Sequence, residues 1–302
     1  MYDVVIVGSG TAGMTAAIYV QRAGKKALVL DEAGFGGQIV FTSCIENYPG
    51  IQNVSGPEFA DGLHKQAEEL GAEFKVERVI SIEKKEKAFS IITGVAIYEA
   101  KSVIVATGVK SRKLGIEGEE KLVGSGVSYC ATCDGNFFKG RDIAVVGGGN
   151  TALEDAEVMS GIANKVYLVH RRDEFRGEQL TVERLKTKDN VEFVLNSKPV
   201  EVVGNFAVEG LKVLNTLDNK ERMLEVSGVF VAVGHVPDNK AFEKLINLDP
   251  QGFVDAGENC RTNIDGIFAA GDCRNKKVRQ LITAAGDAAV AAVAAIEHAN
   301  KV

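Results

Sequence analysis

The chain has 302 residues, enough for two domains of about 100–200 residues, each with its own core. Its composition is ordinary for a globular protein apart from 33 glycines, and a net charge of −6 without a long basic run excludes a nucleic-acid footprint. Five cysteines, an odd number, argue against a disulfide scaffold and for a reducing cytoplasm.

The N-terminal residues Tyr2–Val7 read as a core strand and not as a signal peptide, and no run approaches the roughly 18 apolar residues of a membrane span. The strand leads into Gly8-Ser9-Gly10-Thr11-Ala12-Gly13, then a helix from about Thr11 to Ala23, then a strand Ala27–Leu30 ending at Asp31. This βαβ context makes the glycines a dinucleotide signature: they allow a tight turn, close approach of a pyrophosphate and close helix–strand packing. The helix start supplies N–H groups to the anion. Asp31 stands where a carboxylate accepts from an adenosine ribose and repels a 2′-phosphate, so the site suits FAD or NAD rather than NADP.

Gly36-Gly37-Gln38 and Ile45–Gly50 read as loops, and apolar Phe59, Leu63, Ala67 and Leu70 predict a helix over about Gly56–Leu70. Strands are expected around Phe74–Val79, Ser90–Ile92 and Ala96–Tyr98, followed by Val103–Val105. The last of these ends in Ala106-Thr107-Gly108, as it does where backbone passes close to a cofactor.

Next comes Cys130-Ala131-Thr132-Cys133-Asp134-Gly135. Two cysteines at this spacing close a small ring and store two electrons reversibly, although the spacing alone also fits half a zinc site. The chain has four histidines and none lies at short spacing from this pair, so the residues name no metal.

A second unit opens with strand Ile143–Val146, then Gly147-Gly148-Gly149-Asn150-Thr151-Ala152, a helix to about Met159, and strand Lys165–Val169. Here the second strand ends not in an acid but in His170-Arg171-Arg172, with Arg176 close behind. Guanidinium forks at that point match a 2′-phosphate by charge and by paired hydrogen bonds, which points to NADPH. Val229–Gly234 echoes Val103–Gly108, so the halves share one plan. Gly266–Asp272 gives a strand ending in a carboxylate suited to a ribityl hydroxyl. Arg279-Gln280 precedes an alanine-rich C-terminal helix whose N-terminus faces negative charge favourably. The fold class is therefore α/β, with two Rossmann-like three-layer nucleotide-binding domains. The first covers 1–112 and 244–302, the second is inserted at 113–243, and hinges lie near Ser111–Leu114 and His235–Asn239.

The set GSGTAG, GGQ, IENYPG, ATG, CATCDG, GGGNTA, HRRDEFR, AAGD and RQ resembles the low-molecular-weight, bacterial-type thioredoxin reductases over essentially the whole chain. The resemblance implies a cytoplasmic homodimer with FAD in the first domain, NADPH and the redox pair in the second, and thioredoxin or a thioredoxin-like protein as partner. It implies that Cys133 lies nearer the flavin, that Cys130 exchanges with the protein substrate and that Asp134 is the general acid. It places FAD against Gly8, Gly10, Gly13, Gln38, Asn47, Asp272 and Gln280, beside the residue-based candidates Thr107, Gly108 and Arg279. Asp31 and Glu32 fall at a position that varies within the family. NADPH is expected at Gly147, Gly149, Asn150, Thr151, His170, Arg171, Arg172 and Arg176. Cys44 stands where another residue is usual; Cys260 and Cys273, which have no CxxC partner, read as packing or loop residues.

The expected chemistry is hydride from NADPH to flavin, electrons from flavin to the Cys130–Cys133 disulfide, then thiol–disulfide exchange with the partner. Nicotinamide and disulfide share the inserted domain yet use one flavin, so a domain swing between half-reactions is expected. Rival readings are a flavin-dependent dithiol oxidase, a reductase of another thioredoxin-like protein, and a nucleotide-sensing module without turnover. A hydroperoxide reductase would carry an N-terminal extension, and a ferredoxin-fed enzyme would have no use for the arginines.

Overall fold

The computed structural model describes residues 1–42 and 45–302, so Cys44 lies outside the described residues. The chain divides into two compact units, 1–110 with 236–302, and 111–235.

The first unit begins with β1 (Tyr2–Val7), α1 (Thr11–Arg22), β2 (Ala27–Asp31), α2 (Gly56–Glu69), β3 (Glu73–Val76), β4 (Val79–Lys84), β5 (Phe89–Thr93) and β6 (Ile97–Val105). Strands β3, β2, β1 and β6 are parallel neighbours, and β4 and β5 add antiparallel strands to the first half of β6. The sequence suggested separate strands at Ala96–Tyr98 and Val103–Val105. The structure joins them, because Glu99 and Lys101 keep their side chains away from the core while Ala100 and Ser102 turn inward.

The chain crosses to the second unit at β7 (Lys110–Ser111). That unit holds β8 (Val127–Ser128), the short α3 (Ala131–Asp134), β9 (Asp142–Gly147), α4 (Asn150–Ser160), β10 (Lys165–Val169), α5 (Gln179–Lys186) and β11 (Val191–Val194). It continues with β12 (Ser197–Val203), β13 (Gly210–Asn215), β14 (Glu221–Leu224) and β15 (Gly228–Ala232). Its main sheet runs β11-β10-β9-β15-β8, all parallel, with β12–β14 as an antiparallel meander. Both units therefore combine a parallel sheet with an antiparallel extension.

The return crossing is β16 (His235–Val236), which pairs with β7. Beyond it, β17 (Ile267–Ala269) joins the second half of β6, and α6 (Leu281–Ala299) ends the fold. The expected return at residue 244 falls too late. Residues 236–243 go with the first unit, where Phe242 is buried together with Val5, Leu28, Phe89 and Val103.

Strand alternation accounts for the first unit's two cores. Val4 and Ile6 face α1 and α6, while Val5 and Val7 face the opposite layer. The helix side is built from small residues, Ala16 and Ala17 against Ala284, Ala288, Ala291 and Ala295, which lets the helices approach closely. Although Asp287 and Glu297 interrupt it, α6 is long and apolar enough to cross a membrane by length and composition; 44% of that stretch is buried inside the fold.

Candidate functional site: two glycine cradles and a CxxC disulfide

Strand register gathers the candidate residues at one edge of each parallel sheet. In the first unit Val7 pairs with Leu30 and Val105, and Val105 pairs with Ala269. The residues that follow, Gly8, Asp31, Ala106–Gly108 and Ala270–Asp272, therefore emerge together at the carboxyl ends of the strands, where open α/β sheets bind ligands. Gly8 adopts φ +109°, and a Cβ there would lie 2.2 Å from the Ala106 carbonyl oxygen. A Cβ on Gly13 would lie 1.8 Å from the Gly8 oxygen. Two backbone segments and the first turn of α1 thus meet where no side chain fits.

The start of α1 is open. Its N-cap is Gly10, no side chain caps it, and its first turn holds no acid. By contrast, α2 is closed by a capping box in which Ser55 and Glu58 satisfy each other's backbone. Uncapped N–H groups at α1 are available to an anion. Asp31 accepts from the Ser9 N–H at 2.7 Å and the Ala33 N–H at 2.9 Å, which fixes its carboxylate beside the glycine turn. Glu32 instead pairs with Lys110 at 2.9 Å and Arg78 at 3.0 Å.

Around this cradle, Gln38 is exposed on the 3-10 turn Gly37–Phe41, and Asn47 donates to the Gln280 carbonyl Oε1 at 3.1 Å. Gln280 also caps α6 in a box with Thr283. Thr107 donates its hydroxyl to Asn239 at 2.8 Å, and Asn239 donates to the carbonyls of Gly252 and Cys273. Arg279 lies over the Phe253 ring at 4.4 Å. Cys260 and Cys273 are buried free thiols, both pushed up to about 11 by burial, which makes them inert packing residues.

Asp272 carries the strongest sign of a ligand. Its Oδ1 is buried with no hydrogen-bond partner, and burial pushes its carboxyl up to about 6, against the pull of Lys276 and Arg279. An orphaned acceptor beside the glycine cradle fits the expected flavin ribityl chain. Behind it, Asp287 on α6 accepts from the Gly271 N–H at 3.0 Å, from Arg274 at 2.8 Å and from Lys276 at 2.8 Å, so a buried charge cluster fixes the loop. No motif marks Asp287 in the sequence.

A titration follows from Asp272. Its folded pKa lies above the unfolded value near 4, so in flavin-stripped protein the folded state holds the proton more tightly. Stability is then full below about pH 4 and falls as pH rises to about 6, by roughly 3 kcal/mol. Asp272→Asn is expected to raise the melting temperature of stripped protein at pH 7.5 and leave it unchanged at pH 4. A difference independent of pH would contradict the assignment.

The second unit repeats the cradle. Val146 pairs with Val169 and Val231, and Ser128 pairs with Phe230, so the glycine turn, His170 and the strand leading to Cys130 reach one edge. The start of α4 is again open, capped only by Gly149. Asn150 Oδ1 accepts from the Glu178 N–H at 2.8 Å, and Thr151 is exposed in the first turn of α4. A Cβ on Gly147 would meet the Ala232 oxygen at 2.4 Å. The His170 ring is buried beneath the turn, where a Cβ on Gly148 would strike it at 2.0 Å; it stacks on Phe175 and meets the Glu174 carbonyl at 3.1 Å. Burial and the neighbouring arginines hold its pKa below 6.5, so it supports the loop as a neutral ring. Arg171, Arg172 and Arg176 are exposed, and none is ion-paired to a carboxylate among the described residues. The Arg176 N–H donates to the Gly148 oxygen at 2.8 Å, tying their loop to the turn. Three unpaired cations beside an open helix start fit a phosphate-bearing nucleotide.

Cys130 and Cys133 are joined, with S–S 2.05 Å, and both are partly exposed. Asp134 Oδ2 accepts from the Ser128 hydroxyl at 2.6 Å, while Oδ1 is buried without a partner. Burial pushes this carboxyl up and Ser128 pulls it down. Tyr129 donates to the buried Glu119 at 3.0 Å, and Glu119 also accepts from the Leu114 and Gly115 N–H groups, which staples the first crossing segment to the strand before Cys130. Ser128 and Glu119 escaped the sequence reading, since serine and glutamate occur everywhere and their partners are loop backbone.

Comparison with known proteins gives the family. The family model described as pyridine nucleotide-disulphide oxidoreductase matches residues 2–289. The thioredoxin reductase of Listeria monocytogenes is 44% identical over 96% of this chain and 92% of its own length. A bifunctional thioredoxin reductase/thioredoxin of Mycobacterium leprae is 44% identical over 99% of this chain and 67% of its own length. The crystal structure of thioredoxin reductase from Streptococcus pyogenes superposes with TM-score 0.94 at 40% identity, covering 100% of this chain and 99% of that one.

Proposed function

The chain belongs to the pyridine nucleotide-disulphide oxidoreductase family and, within it, to the thioredoxin reductases; from that premise we propose how its two units divide the reaction. FAD, when bound, would supply the two-electron relay between NADPH and the Cys130–Cys133 disulfide. The unit of residues 1–110 and 236–302 holds FAD, with Gly8, Gly10 and Gly13 at the pyrophosphate and Asp31 at the adenosine ribose. Asp272 takes the ribityl chain, and Gln38, Asn47, Thr107, Gly108, Arg279 and Gln280 line the rest. Glu32 is a weaker candidate, because Lys110 and Arg78 already engage it. The unit of residues 111–235 holds NADPH, through Gly147, Gly149, Asn150 and Thr151 at the pyrophosphate and Arg171, Arg172 and Arg176 at the 2′-phosphate, with His170 beneath them.

Once reduced, Cys130 attacks the partner's disulfide as thiolate and forms a mixed disulfide. Cys133 then displaces the partner, which leaves with two electrons and two protons. Asp134 supplies a proton to a departing sulfur, a role its upward-shifted carboxyl supports. Nucleotide arginines and redox pair lie in one unit, so they take turns at the flavin by a swing about the paired crossings. A cross-link between the units that spared both half-reactions would contradict this. Thioredoxin or a thioredoxin-like protein is the partner, and a reducing cytoplasm suits the two free thiols. Half-exposed Tyr19, Val290 and Val293 around one groove of α1 and α6 support a homodimer, readable by sedimentation velocity.

The observation that carries this reading is the closed Cys130–Cys133 pair set at the same sheet edge as an open glycine turn and three unpaired arginines. Anaerobic titration with NADPH and NADH in turn, then oxidised thioredoxin, tests it. NADPH is expected to bleach the flavin and thioredoxin to restore it; bleaching without restoration, followed by turnover with oxygen and a small dithiol, would point to an oxidase. Arg171→Ala with Arg172→Ala and Arg176→Ala is expected to raise KM for NADPH by on the order of 100-fold and to spare NADH. Equal losses for both nucleotides would overturn the 2′-phosphate assignment.

A further inference from the structure

We propose that Ser128 is the positioning residue of the proton donor: by occupying Oδ2 of Asp134 it keeps the transferable proton on Oδ1, the oxygen with no hydrogen-bond partner among the described residues. The inference rests on the reading of Asp134 as the acid.

The Ser128 hydroxyl has one hydrogen and two acceptors within reach, Asp134 Oδ2 at 2.6 Å and the Cys130 carbonyl at 3.3 Å. The short, charge-assisted bond wins. One of its lone pairs is taken by the Cys130 N–H at 3.1 Å, which leaves the hydroxyl little freedom to turn. Ser128 itself is 5% exposed and fixed in β8, in register with Phe230 of β15. One buried hydroxyl thus joins a sheet strand, the backbone of Cys130 and the carboxylate beyond Cys133.

When Asp134 is ionised its carboxylate can only accept, so between the two side chains Ser128 donates to Oδ2. Retaining that bond as the proton returns requires no rearrangement, so the proton goes back to Oδ1. If it went to Oδ2, Ser128 would become an acceptor and its own hydrogen would move to the carbonyl 3.3 Å away. The donor would then point at the serine instead of a departing sulfur.

No other charge competes for Asp134, whose carboxyl responds only to burial and to Ser128. Packed against α3, α4 carries Glu154, Asp155 and Glu157; Glu157 pairs with Arg184, and Asp155 is itself pushed up to about 7 by burial and Glu154. Tyr129, next along the chain, is held by Glu119.

The test compares holoenzyme carrying Ser128→Ala, Ser128→Thr, Asp134→Asn and the double variant Ser128→Ala with Asp134→Asn. Two readouts are used: the pH profile of thioredoxin reduction, and the pH profile of iodoacetamide alkylation of the reduced thiols, followed by mass. Loss of its one donor raises the Asp134 pKa further. In Ser128→Ala the alkaline limb is therefore expected to move up by about one pH unit, while the maximal rate falls about tenfold because the proton is misdirected. Ser128→Thr, which keeps the hydroxyl, restores both. The double variant is expected to be no slower than Asp134→Asn alone, and alkylation in Ser128→Ala to follow the shifted limb. An unshifted profile in Ser128→Ala, or additive losses in the double variant, overturns the role of Ser128. Full activity in Asp134→Asn overturns the acid itself, and so separates the two failures.

Discussion

Cys133→Ser is expected to lower thioredoxin reduction by about a thousandfold or more, while leaving the protein yellow and its flavin reducible by NADPH. Serine oxygen cannot close the ring with Cys130 nor resolve a mixed disulfide, yet neither nucleotide cradle includes residue 133. Cys130 remains free to attack, so the variant is expected to accumulate a covalent adduct with thioredoxin, visible as the summed mass under non-reducing conditions. Cys130→Ser should give no such adduct if Cys130 is the attacking thiol. Turnover at the parent rate in either variant would remove the pair from the pathway.

Gly13→Ala is expected to yield colourless or insoluble protein, although it adds one methyl group. That methyl would sit 1.8 Å from the Gly8 carbonyl oxygen, which is backbone and cannot swing aside. Either β1 or the first turn of α1 must move, at a cost of about 3 kcal/mol or more, and the open N–H groups of α1 move with it. Gly10 is the internal control. Only the Gly36 oxygen comes within 4 Å of a Cβ added there, at 3.9 Å, so Gly10→Ala should fold and lose affinity only where the nucleotide itself approaches. Melting curves with and without added FAD separate the two. Equal stability of both variants would mean that the close helix–strand approach is not what fixes Gly13.

Both glycine turns were legible because each is local: strand, glycine turn, helix and second strand follow one another within a few dozen residues. The CxxC gained meaning from the turn that follows it. What escaped was non-local. Phe242 reads as the end of the inserted domain until its packing with strands far earlier in the chain is known. Strand β6 reads as two pieces because Glu99 and Lys101 face outward in its first half. Asp287 sits in an alanine-rich helix with no motif, and its partners Gly271, Arg274 and Lys276 come from another loop. Ser128 lies two residues before Cys130 and looks like any strand serine; only the 2.6 Å contact distinguishes it.

The interrupted first unit has a consequence for how the molecule is made. On the ribosome, residues 111–235 emerge whole before β17 and α6 exist, so the module bearing the thiol pair can mature first. The pairing of β17 with β6 and the seating of Asp287 behind Gly271 both wait for β17 and α6 to be translated. A nascent chain stalled before α6 would therefore bring a finished exchange module to the cell with no electron supply, and flavin loading becomes a report that α6 has been made.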